Sequence, residues 1–468
     1  MINFNPVTPR IVERLKEIVG AEYVLTSPED LVRYGLDEIE ERYRRMPDVV
    51  VKPHTPEEIA AIMHLANEER IPVTPRGAGT GLSGGAVPVF GGIVLSMERM
   101  NSILEIDCDN MMVTVEPGVV LADMMRAVEA HGLFYPVDVS TFESCYVGGN
   151  VAENAGGARA VKYGVTSDWV CGLEIVTPTG EIVCLGGKHI KDVTGYNLVK
   201  LLIGSEGTLG IITKITFRLT VKPTYVLDLL IPFDSLEVAV SQVLKLLREE
   251  RDLSAIELMD SSSIRVAEQY LNLKLPYDDC EAHLLIQVDG MEEDVVWRSA
   301  ERIYKRVTQA GAKETLVADN RVTKERIWRA RRVIAEALKA LYRHVSVEDI
   351  VVPRAEIPQA VRCIKKLAFQ HCLEVCLYGH IGDGNLHPTL VCNDRDEFTW
   401  THDLEAFLTD MFCIVRKLGG NLTAEHGIGL KRIKYLPLML DKAEIALMQA
   451  IKKAWDPNGI LNPGKIFG

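Results

Sequence analysis

Apolar residues recur at helical spacing after two capping residues near the start of the chain, which predicts helices there. Ser27 and Thr55 each precede a proline and have an acidic residue three positions later, a combination that caps a helix N-terminus. The second cap begins an amphipathic stretch that we expect to end near Glu69-Arg70. Beyond it the pattern changes to short β-rich runs, which predict strands at residues 93–97, 112–115, 171–176, 181–184 and 211–219.

A second series of strands and helices begins near Tyr225. We expect strands at 225–231 and 283–288, and helices at 235–250, 292–309, 323–341 and 357–369. This alternation predicts an α+β domain with helices on one face of a sheet. The turn-rich residues 456–465 are apolar enough to pack against the first domain. The sequence therefore predicts a first domain at 1–220, a second domain at 221–420, and a C-terminal segment at 421–468 that returns to the first.

The composition is that of an ordinary soluble protein. Of the 468 residues, 47% are hydrophobic and 25% are charged, and the formal net charge is -13. This charge argues against nucleic acid or an anionic membrane surface as a partner. No apolar run approaches the roughly 20 residues of a membrane span, so we expect no transmembrane segment. The N-terminal residues lack the basic and apolar regions of a signal peptide, which predicts a cytoplasmic location.

Three glycine-rich segments indicate a dinucleotide site. They span residues 75–85, 147–157 and 204–210, and each lies beside a strand-like run. Glycine allows a positive φ and lets backbone N–H groups approach a bulky anion that a Cβ would block. One such loop is also common in turns and helix caps, but three within one domain predict a flavin or another dinucleotide.

The first segment also matches the Rossmann pattern G-x-G-x-x-G over residues 79–84. Glu98 lies at about the distance expected for the ribose-binding acid. That motif requires a helix to begin in the loop, so that its N-terminus faces the pyrophosphate. Pro88 and the pair Gly91-Gly92 are incompatible with a helix interior, and a strand is expected from Ile93. The sequence therefore predicts a non-Rossmann flavin site.

Two histidines flank a predicted hairpin in the second domain. Asp383-Gly384 is a strong hairpin signal, and a two-residue turn there would place His380 and His387 directly opposite each other. Opposed residues have Cβ atoms about 5 Å apart on one face of a sheet, so two imidazoles could bind one divalent ion. The alternative is a stacked or hydrogen-bonded histidine pair.

Glu425 and His426 are adjacent and are followed by glycines at positions 427 and 429. Neighbouring side chains project in different directions, so the carboxylate could bind a metal while the imidazole faces substrate. The alternative is a solvated acid beside a loop histidine. Arg331 lies in a basic helical run at 328–332. Such runs are usually solvated, but an arginine that faces a pocket would clamp a carboxylate.

With these motifs the chain resembles the FAD-linked oxidases of the vanillyl-alcohol oxidase flavin fold. Within them it is similar to the D-lactate dehydrogenase and glycolate oxidase D-subunit group, with D-2-hydroxyglutarate dehydrogenase as a relative. The resemblance implies an α+β protein: a two-part, non-Rossmann FAD-binding domain and an α+β substrate (cap) domain with an antiparallel sheet. It rests on residues 75–88, 147–157, 204–210, 379–387, 423–429 and 462–465.

The resemblance also implies functional residues. Its FAD contacts are Arg76, Gly77, Ala78, Gly79, Thr80, Gly81, Ser83, Gly84, Gly85, Gly148, Gly149, Asn150, Asn154, Gly157, Glu206, Gly207, Ile212 and Asn462. By the same likeness His380, His387 and Glu425 bind a divalent metal, which could be zinc, iron or manganese. His426 then acts on the substrate hydroxyl, and Arg331 binds the substrate carboxylate.

Two departures from the family pattern refine these expectations. Thr80 stands where covalent relatives carry a histidine, which predicts non-covalently bound FAD. Ala335 and Val347 stand where hydroxyglutarate dehydrogenases are expected to carry a hydroxyl and a lysine for a second carboxylate. Their apolar character favours a small monocarboxylate.

The expected activity is oxidation of a small (R)-2-hydroxy acid, most simply D-lactate to pyruvate, by hydride transfer to flavin. Alternatives are a glycolate oxidase flavoprotein subunit, a flavin relay subunit without its own substrate, and a redox-neutral alkyl-transfer synthase with bound FAD. The ten cysteines are irregularly spaced and contain no iron–sulfur motif, which predicts free thiols. We therefore expect electrons to pass to another carrier, which could be an electron-transfer flavoprotein, an iron–sulfur subunit, a quinone or a cytochrome. The first two, both partner proteins, are favoured.

Overall fold

A computed structural model describes residues 4–276 and 279–467. The chain divides into two compact units. Unit 1 consists of Met1–Ala155, Val165–Lys222 and Glu425–Gly468, and unit 2 consists of Gly156–Gly164 and Pro223–Ala424. Along the chain, the boundaries between these units lie after residues 155, 164, 222 and 424. The sequence contained no signal that the short segment Gly156–Gly164 belongs to unit 2.

The described residues of unit 1 form three β-sheets. A four-stranded sheet has the order β1-β2-β4-β3, and β4 pairs in parallel with both β2 and β3. A five-stranded antiparallel sheet has the order β5-β6-β10-β8-β9, and β7 pairs with β11. These strands are β1 (Val24–Leu25), β2 (Val49–Val51), β3 (Val73–Arg76), β4 (Ile93–Ser96), β5 (Ile103–Asp107), β6 (Met112–Val115), β7 (Leu133–Phe134), β8 (Val170–Val176), β9 (Ile182–Gly186), β10 (Ile211–Arg218) and β11 (Thr220–Val221).

The helices of unit 1 include the predicted capped helix Pro56–Glu69. The Thr55 hydroxyl accepts a hydrogen bond from the Glu58 N–H at 3.2 Å, and the helix ends at Arg70 with φ 52°. The cap at Ser27 begins only one helical turn. The other α-helices are Pro9–Val19, Pro28–Leu31, Leu121–Glu129, Val147–Glu153, Thr166–Trp169, Leu198–Leu202, Leu436–Met439 and Lys442–Trp455, with 3-10 turns at Ala21–Tyr23, Val32–Tyr34, Glu41–Tyr43, Met97–Arg99 and Ile433–Tyr435.

The core of unit 1 lies between these helices and the four-stranded sheet. Ile59, Ile62 and Met63 of the capped helix are buried against Leu15 and the strand residue Val49. The loop after β3 behaves as the sequence predicts, because residues 77–92 form turns and bends without a helix before β4 begins at Ile93. This confirms the rejection of a Rossmann loop.

In unit 2, the strands of the described residues form an eight-stranded antiparallel sheet. Its order is β15-β12-β14-β13-β18-β19-β16, and β17 also pairs with β19. The strands are β12 (Tyr225–Phe233), β13 (Leu253–Asp260), β14 (Ala282–Gly290), β15 (Leu316–Ala318), β16 (His344–Val347), β17 (Ile350–Val351), β18 (Glu374–Gly379) and β19 (Asn385–Cys392). The strand β13, at the middle of the sheet, was not predicted from the sequence.

Three helices of unit 2 share a buried core with this sheet. Ile264, Ile327 and Ile334, from three different helices, share a core with Met259 of β13 and Tyr378 of β18. The helix expected over 323–341 is two helices, which meet at Val333 with φ -80° and ψ -5°. The α-helices are Ala160–Tyr163, Leu236–Glu249, Ser261–Leu271, Glu293–Gln309, Arg321–Arg332, Ile334–Leu341, Ile357–Gln370 and Glu397–Lys417, with a 3-10 turn at Arg354–Glu356.

Polar contacts attach the segment Gly156–Gly164 to unit 2. Arg159 donates from Nε to Oε1 of Gln287 at 3.1 Å. The Tyr163 hydroxyl donates to Oδ2 of Asp289 at 2.9 Å, and Lys162 forms an ion pair with the same carboxylate. These contacts with β14 explain why a nine-residue piece of the first predicted domain folds with the second.

None of the helices in the described part of the chain has both the length and the apolar character that crossing a membrane requires.

Candidate active site

The three glycine-rich segments of the sequence meet in unit 1. A Cβ on Gly77 would lie 3.7 Å from the backbone N of Gly149, and one on Gly207 would lie 2.8 Å from Cγ of Pro75. The Gly204 N–H donates to the Val151 carbonyl at 3.0 Å. The first segment thus touches both others, and the second is hydrogen-bonded to the third.

Within the first segment, two glycines adopt conformations that other residues avoid. Gly79 has φ 78° and Gly84 has φ 84°. A Cβ on Gly79 would also lie 2.0 Å from Nη2 of Arg76. That guanidinium donates to the carbonyl groups of Leu36 and Arg33 at 2.9 and 3.1 Å, so its position is fixed. We call the backbone of residues 77–84 the glycine cradle. Side chains cannot fill it, which fits a loop that binds a bulky anion through its backbone.

The remaining predicted FAD residues of unit 1 surround the same segments. Gly148, Gly149 and Asn150 lie on the helix Val147–Glu153, and Asn154 is its left-handed C-cap, with φ 55°. Ile212 lies on β10. Asn462 donates from Nδ2 to the carbonyl groups of Gly85 and Glu206, at 3.0 and 2.8 Å. Gly157 differs from the others, because it lies in the segment that folds with unit 2.

Charged side chains are buried next to the glycine segments. Burial, with a further contribution from the negative charge of Glu206, raises the pKa of Glu153 well above its usual range. Burial also raises the pKa of Glu206, although the N–H groups of Ile428 and Gly429 act in the opposite direction. Burial lowers the pKa of Lys465 to about 8. Of these residues, sequence reasoning had selected only Glu206.

The Glu206 carboxylate holds the loop that contains Glu425 and His426. Its two oxygens accept hydrogen bonds from the N–H groups of Ile428 and Gly429, each at 2.7 Å. Oε1 of Glu425 lies 3.9 Å from Nε2 of His426. Gly427 between them and the bonded N–H groups has φ 80°. The adjacent carboxylate and imidazole are therefore carried by a loop whose backbone is fixed within unit 1.

In unit 2, a buried glutamate joins two of the predicted functional residues. Oε1 of Glu257 accepts a hydrogen bond from Nδ1 of His380 at 2.7 Å, and Oε2 lies 2.7 Å from Nη2 of Arg331. Burial alone would raise the pKa of Glu257, but the positive charges of His380 and Arg331 outweigh it and lower the pKa. The sequence signal for Glu257 is a single acid inside the apolar run 253–259.

Arg331 is the buried member of its basic run. Arg331 is 7% exposed, and its guanidinium carbon lies 5.1 Å from the ring centre of Tyr378. Arg329 of the same helix is exposed. Within the described chain, Nε and Nη2 make no hydrogen bond, since the contact with Glu257 is an ion pair outside hydrogen-bond geometry. Nε and Nη2 form the side of a guanidinium that holds a carboxylate with two parallel hydrogen bonds.

The histidine hairpin forms, but its predicted register is wrong. His387 is paired with Tyr378, and residues 380–384 connect β18 to β19 as a five-residue loop. A two-residue turn at Asp383-Gly384 does not form because other contacts hold the loop. The Gly382 N–H donates to the Ile256 carbonyl at 3.1 Å, and a Cβ on Gly384 would lie 2.3 Å from the Val352 carbonyl oxygen.

The two imidazoles nevertheless lie together. The ring centres of His380 and His387 are 5.2 Å apart, and the ring planes are nearly perpendicular at 88°. Nδ1 of His387 lies 3.5 Å from Oδ1 of the buried Asp349. Two imidazoles with carboxylate neighbours are a donor set that zinc, iron and manganese accept.

Asp349 also anchors the segment that leads out of unit 2. Its Oδ2 accepts hydrogen bonds from the Thr423 hydroxyl at 2.6 Å and from the Ala424 N–H at 2.9 Å. Glu425 is the next residue of the chain. Sequence reasoning missed Asp349, for which the only signal was an acid pair, Glu348-Asp349, directly before an apolar strand.

Comparison with known families agrees with this arrangement. An FAD binding domain matches residues 47–186, and the C-terminal domain of FAD linked oxidases matches residues 222–466. Solved structures share the fold: p-cresol methylhydroxylase superimposes with a TM-score of 0.82 at 20% identity, covering 97% of this chain and 96% of its own. An alkyldihydroxyacetonephosphate synthase gives a TM-score of 0.77 at 21% identity, covering 99% and 87%.

Several relatives match over nearly their whole length. The glycolate oxidase subunit GlcD of Bacillus subtilis is 40% identical, covering 98% of this chain and 97% of its own. A D-lactate dehydrogenase of Anaerostipes hadrus is 38% identical, covering 99% and 98%. A D-2-hydroxyglutarate dehydrogenase of Stutzerimonas stutzeri is 33% identical, covering 98% and 99%.

The chain therefore belongs to the family of FAD-linked oxidases. It has the expected α+β architecture of the vanillyl-alcohol oxidase type, with an FAD-binding domain and an antiparallel-sheet domain. More narrowly, it is an FAD-linked oxidoreductase of the 2-hydroxy acid dehydrogenase and glycolate oxidase type.

Proposed function

We propose that this enzyme oxidises a small (R)-2-hydroxy acid, with D-lactate as the first candidate, to the corresponding 2-oxo acid. The observation that carries the proposal is the buried guanidinium of Arg331, whose Nε and Nη2 make no hydrogen bond within the described chain. Buried polar groups normally have hydrogen-bond partners, and a substrate carboxylate would supply two. The D-lactate dehydrogenase of Anaerostipes hadrus, at 38% identity, supports the choice of substrate.

The other residues of the proposal act on the substrate hydroxyl. His380, His387 and Glu425 would hold a divalent metal, and His426 would take the hydroxyl proton, a role suited to an imidazole near neutral pH. Bound FAD supplies the hydride acceptor, and the metal supplies a Lewis acid that polarises the hydroxyl. Support for the ligand set comes from the 5.2 Å between the two imidazole rings and from Ala424, the neighbour of Glu425, which is bonded to Asp349.

The FAD would be held without a covalent bond, because Thr80 replaces the histidine of covalent relatives. Support for the pyrophosphate site over Gly77–Gly81 comes from the positive φ of Gly79 and from the lack of space for a Cβ there. The other proposed contacts are Arg76, Ser83, Gly84, Gly85, Gly148, Gly149, Asn150, Asn154, Gly157, Glu206, Gly207, Ile212 and Asn462. Arg76 and Glu206 would act by positioning loops, since their side chains are bonded to backbone groups.

We propose a monocarboxylate because of Ala335 and Val347, which stand where hydroxyglutarate dehydrogenases are expected to carry a hydroxyl and a lysine. Ala335 lies on the helix that follows the Arg331 helix, and Val347 is buried on β16 opposite Thr389 of β19. Neither side chain can pair with a second carboxylate. Glycolate is the second candidate substrate, supported by the 40% identity to the glycolate oxidase subunit of Bacillus subtilis.

Electrons would then leave through a partner protein, an electron-transfer flavoprotein or an iron–sulfur subunit. All ten cysteines lie in the described part of the chain and carry free thiols at scattered positions. Such an arrangement supports a partner as the electron carrier, because cluster-binding thiolates must surround one point.

The test is anaerobic titration of the purified flavoprotein with D-lactate, L-lactate, glycolate and D-2-hydroxyglutarate. The flavin absorbance is measured after each addition, and its loss reports reduction of the flavin. The proposal predicts bleaching by D-lactate, weaker bleaching by glycolate, and none by L-lactate. Bleaching by D-2-hydroxyglutarate alone would replace the substrate assignment. No bleaching by any of the four, with FAD and metal both bound, would contradict the proposal and indicate a relay subunit.

A further inference from the structure

Glu257 occupies a central position in the sheet of unit 2. It lies on β13, which pairs with β14 on one side and with β18 on the other. Its neighbours in sequence, Ile256 and Leu258, are buried apolar residues, and Glu257 itself is 0% exposed. Desolvation strongly disfavours a carboxylate at such a place unless charged partners compensate it. A purely structural strand position would therefore favour an apolar residue.

Both carboxylate oxygens have a partner that the proposed function uses. Oε1 receives the hydrogen bond of His380 Nδ1 at 2.7 Å, and Oε2 makes the 2.7 Å ion pair with Nη2 of Arg331. The first contact fixes which nitrogen of His380 carries the proton and how the ring is turned. The second contact fixes the guanidinium, whose only ion pair within the described chain is this one.

We infer that Glu257 is a positioning residue that orients His380 and Arg331 together. It directs the Nδ1–H of His380 to itself, so that Nε2 is the nitrogen presented to a metal. Through its ion pair with Nη2 it also holds the Arg331 guanidinium in place for the substrate carboxylate. Hydrogen bonds from metal-binding histidines to carboxylates have this effect in many sites. The inference rests on the proposed function, because it assigns a metal to His380 and a substrate to Arg331.

A substitution can separate this role from that of a structural ion pair. Glu257→Gln keeps the size of the side chain and an oxygen that can accept from His380, but it removes the charge that makes the imidazole a stronger ligand. Glu268→Gln is the matched control. Glu268 is also buried in unit 2, with an ion pair to Lys274 at 3.1 Å and a hydrogen bond from the Leu275 N–H at 2.6 Å.

The experiment measures the affinity for Zn²⁺ and Mn²⁺ of the chelator-treated, FAD-loaded protein, using a competing chromogenic chelator. Glu257→Gln should weaken binding about 10- to 100-fold, whereas Glu268→Gln should bind as the wild type does. At saturating metal, the Glu257→Gln enzyme should still have a raised KM for D-lactate, because Arg331 has lost the only ion pair that it makes among the described residues. An unchanged metal affinity in Glu257→Gln, or an unchanged KM at saturating metal, would overturn the inference.

The wild-type protein in the same series tests the proposed function separately. If the wild type binds one ion tightly and Glu257→Gln does too, the inference fails and the proposed metal stands. If the wild type binds no ion but D-lactate still bleaches the flavin, the metal part of the proposed function fails. The role of Glu257 in orienting His380 toward a metal then fails with it. Equal loss of metal affinity in both Gln variants would show a structural role and overturn the inference.

Discussion

Nη2 of Arg331 lies 2.7 Å from Oε2 of Glu257, and both side chains are buried in unit 2. The arginine is thus ordered before any substrate binds. Ordering a long side chain on binding costs free energy, so a preorganised guanidinium binds a carboxylate more tightly than a mobile one. This relationship distinguishes Arg331 from the exposed Arg329, which belongs to the same basic run.

The first prediction concerns the proposed metal. His380→Ala and His387→Ala should each remove the metal and abolish oxidation of D-lactate, while FAD remains bound, because both histidines lie outside the FAD-binding unit. Metal content by elemental analysis and FAD content by absorbance measure the two effects. His402→Ala, at an exposed histidine of unit 2, is the control. Full metal content and full activity in both variants would refute the ligand assignment.

The second prediction concerns the glycine cradle. Gly79→Ala should lower FAD content severalfold, because φ is 78° and the new Cβ would meet the fixed Arg76 guanidinium. Gly132→Ala provides the control, since φ is 73° there but no atom lies within 4 Å of the added Cβ. The control should lose about 1 kcal/mol of stability through backbone strain and keep its FAD. FAD retention in Gly79→Ala equal to that in the control would contradict the cradle.

The third prediction concerns the pH dependence of stability. Burial raises the pKa of Asp37 from 3.8 to about 6. Between these values the folded protein keeps a proton that the unfolded chain has released, so rising pH lowers the free energy of unfolding. Asp37→Asn should remove this contribution and gain stability relative to the wild type between pH 4 and pH 7.

Urea unfolding at pH 4.5 and pH 7 measures this difference. Asp109→Asn, at an exposed aspartate, should reproduce the wild-type pH dependence. If the free energies of unfolding of the wild type and of Asp37→Asn changed in parallel over this pH range, Asp37 would not be a buried acid with a raised pKa.

The fourth prediction concerns Asp349, whose carboxylate accepts hydrogen bonds from several groups of unit 2. Besides Thr423 and Ala424, the Asn385 amide donates to Oδ1 at 2.7 Å. Asp349→Asn turns one acceptor into a donor that faces other donors, which should cost about 1–3 kcal/mol of unfolding free energy. Asp319→Asn, at an exposed position, should change it by no more than about 0.5 kcal/mol. Chemical denaturation compares the variants, and equal stabilities would contradict the hydrogen-bond assignment.

Local patterns predicted much of this structure because they act over a few residues. The cap at Thr55, the strand at Ile93 and the absence of a helix after the first glycine loop all follow from neighbouring residues. The hairpin register could not be obtained this way. Its turn is set by the Ile256 carbonyl on β13, a strand that is distant in sequence and was not itself predicted.

The candidate site divides in the same manner. Glycines and histidines can be recognised as candidates from residue type and spacing, so Gly79, His380 and His387 could be selected from the sequence. Glu257 acts through His380, which is 123 residues away along the chain, and Asp349 acts through Thr423, which is 74 residues away. An acid inside an apolar strand indicates that a buried partner exists, but the fold is needed to identify it.

The most direct test of the central claim compares Arg331 with Arg329. Arg331→Ala and Arg331→Lys should reduce the second-order rate of anaerobic flavin reduction by D-lactate, the alanine variant by about 100-fold or more, because a buried charge-assisted pair is lost. Arg329→Ala should react as the wild type does. If Arg331→Ala with full FAD content were reduced by D-lactate as fast as the Arg329→Ala control, Arg331 would not bind the substrate carboxylate and the proposed function would lose its main support.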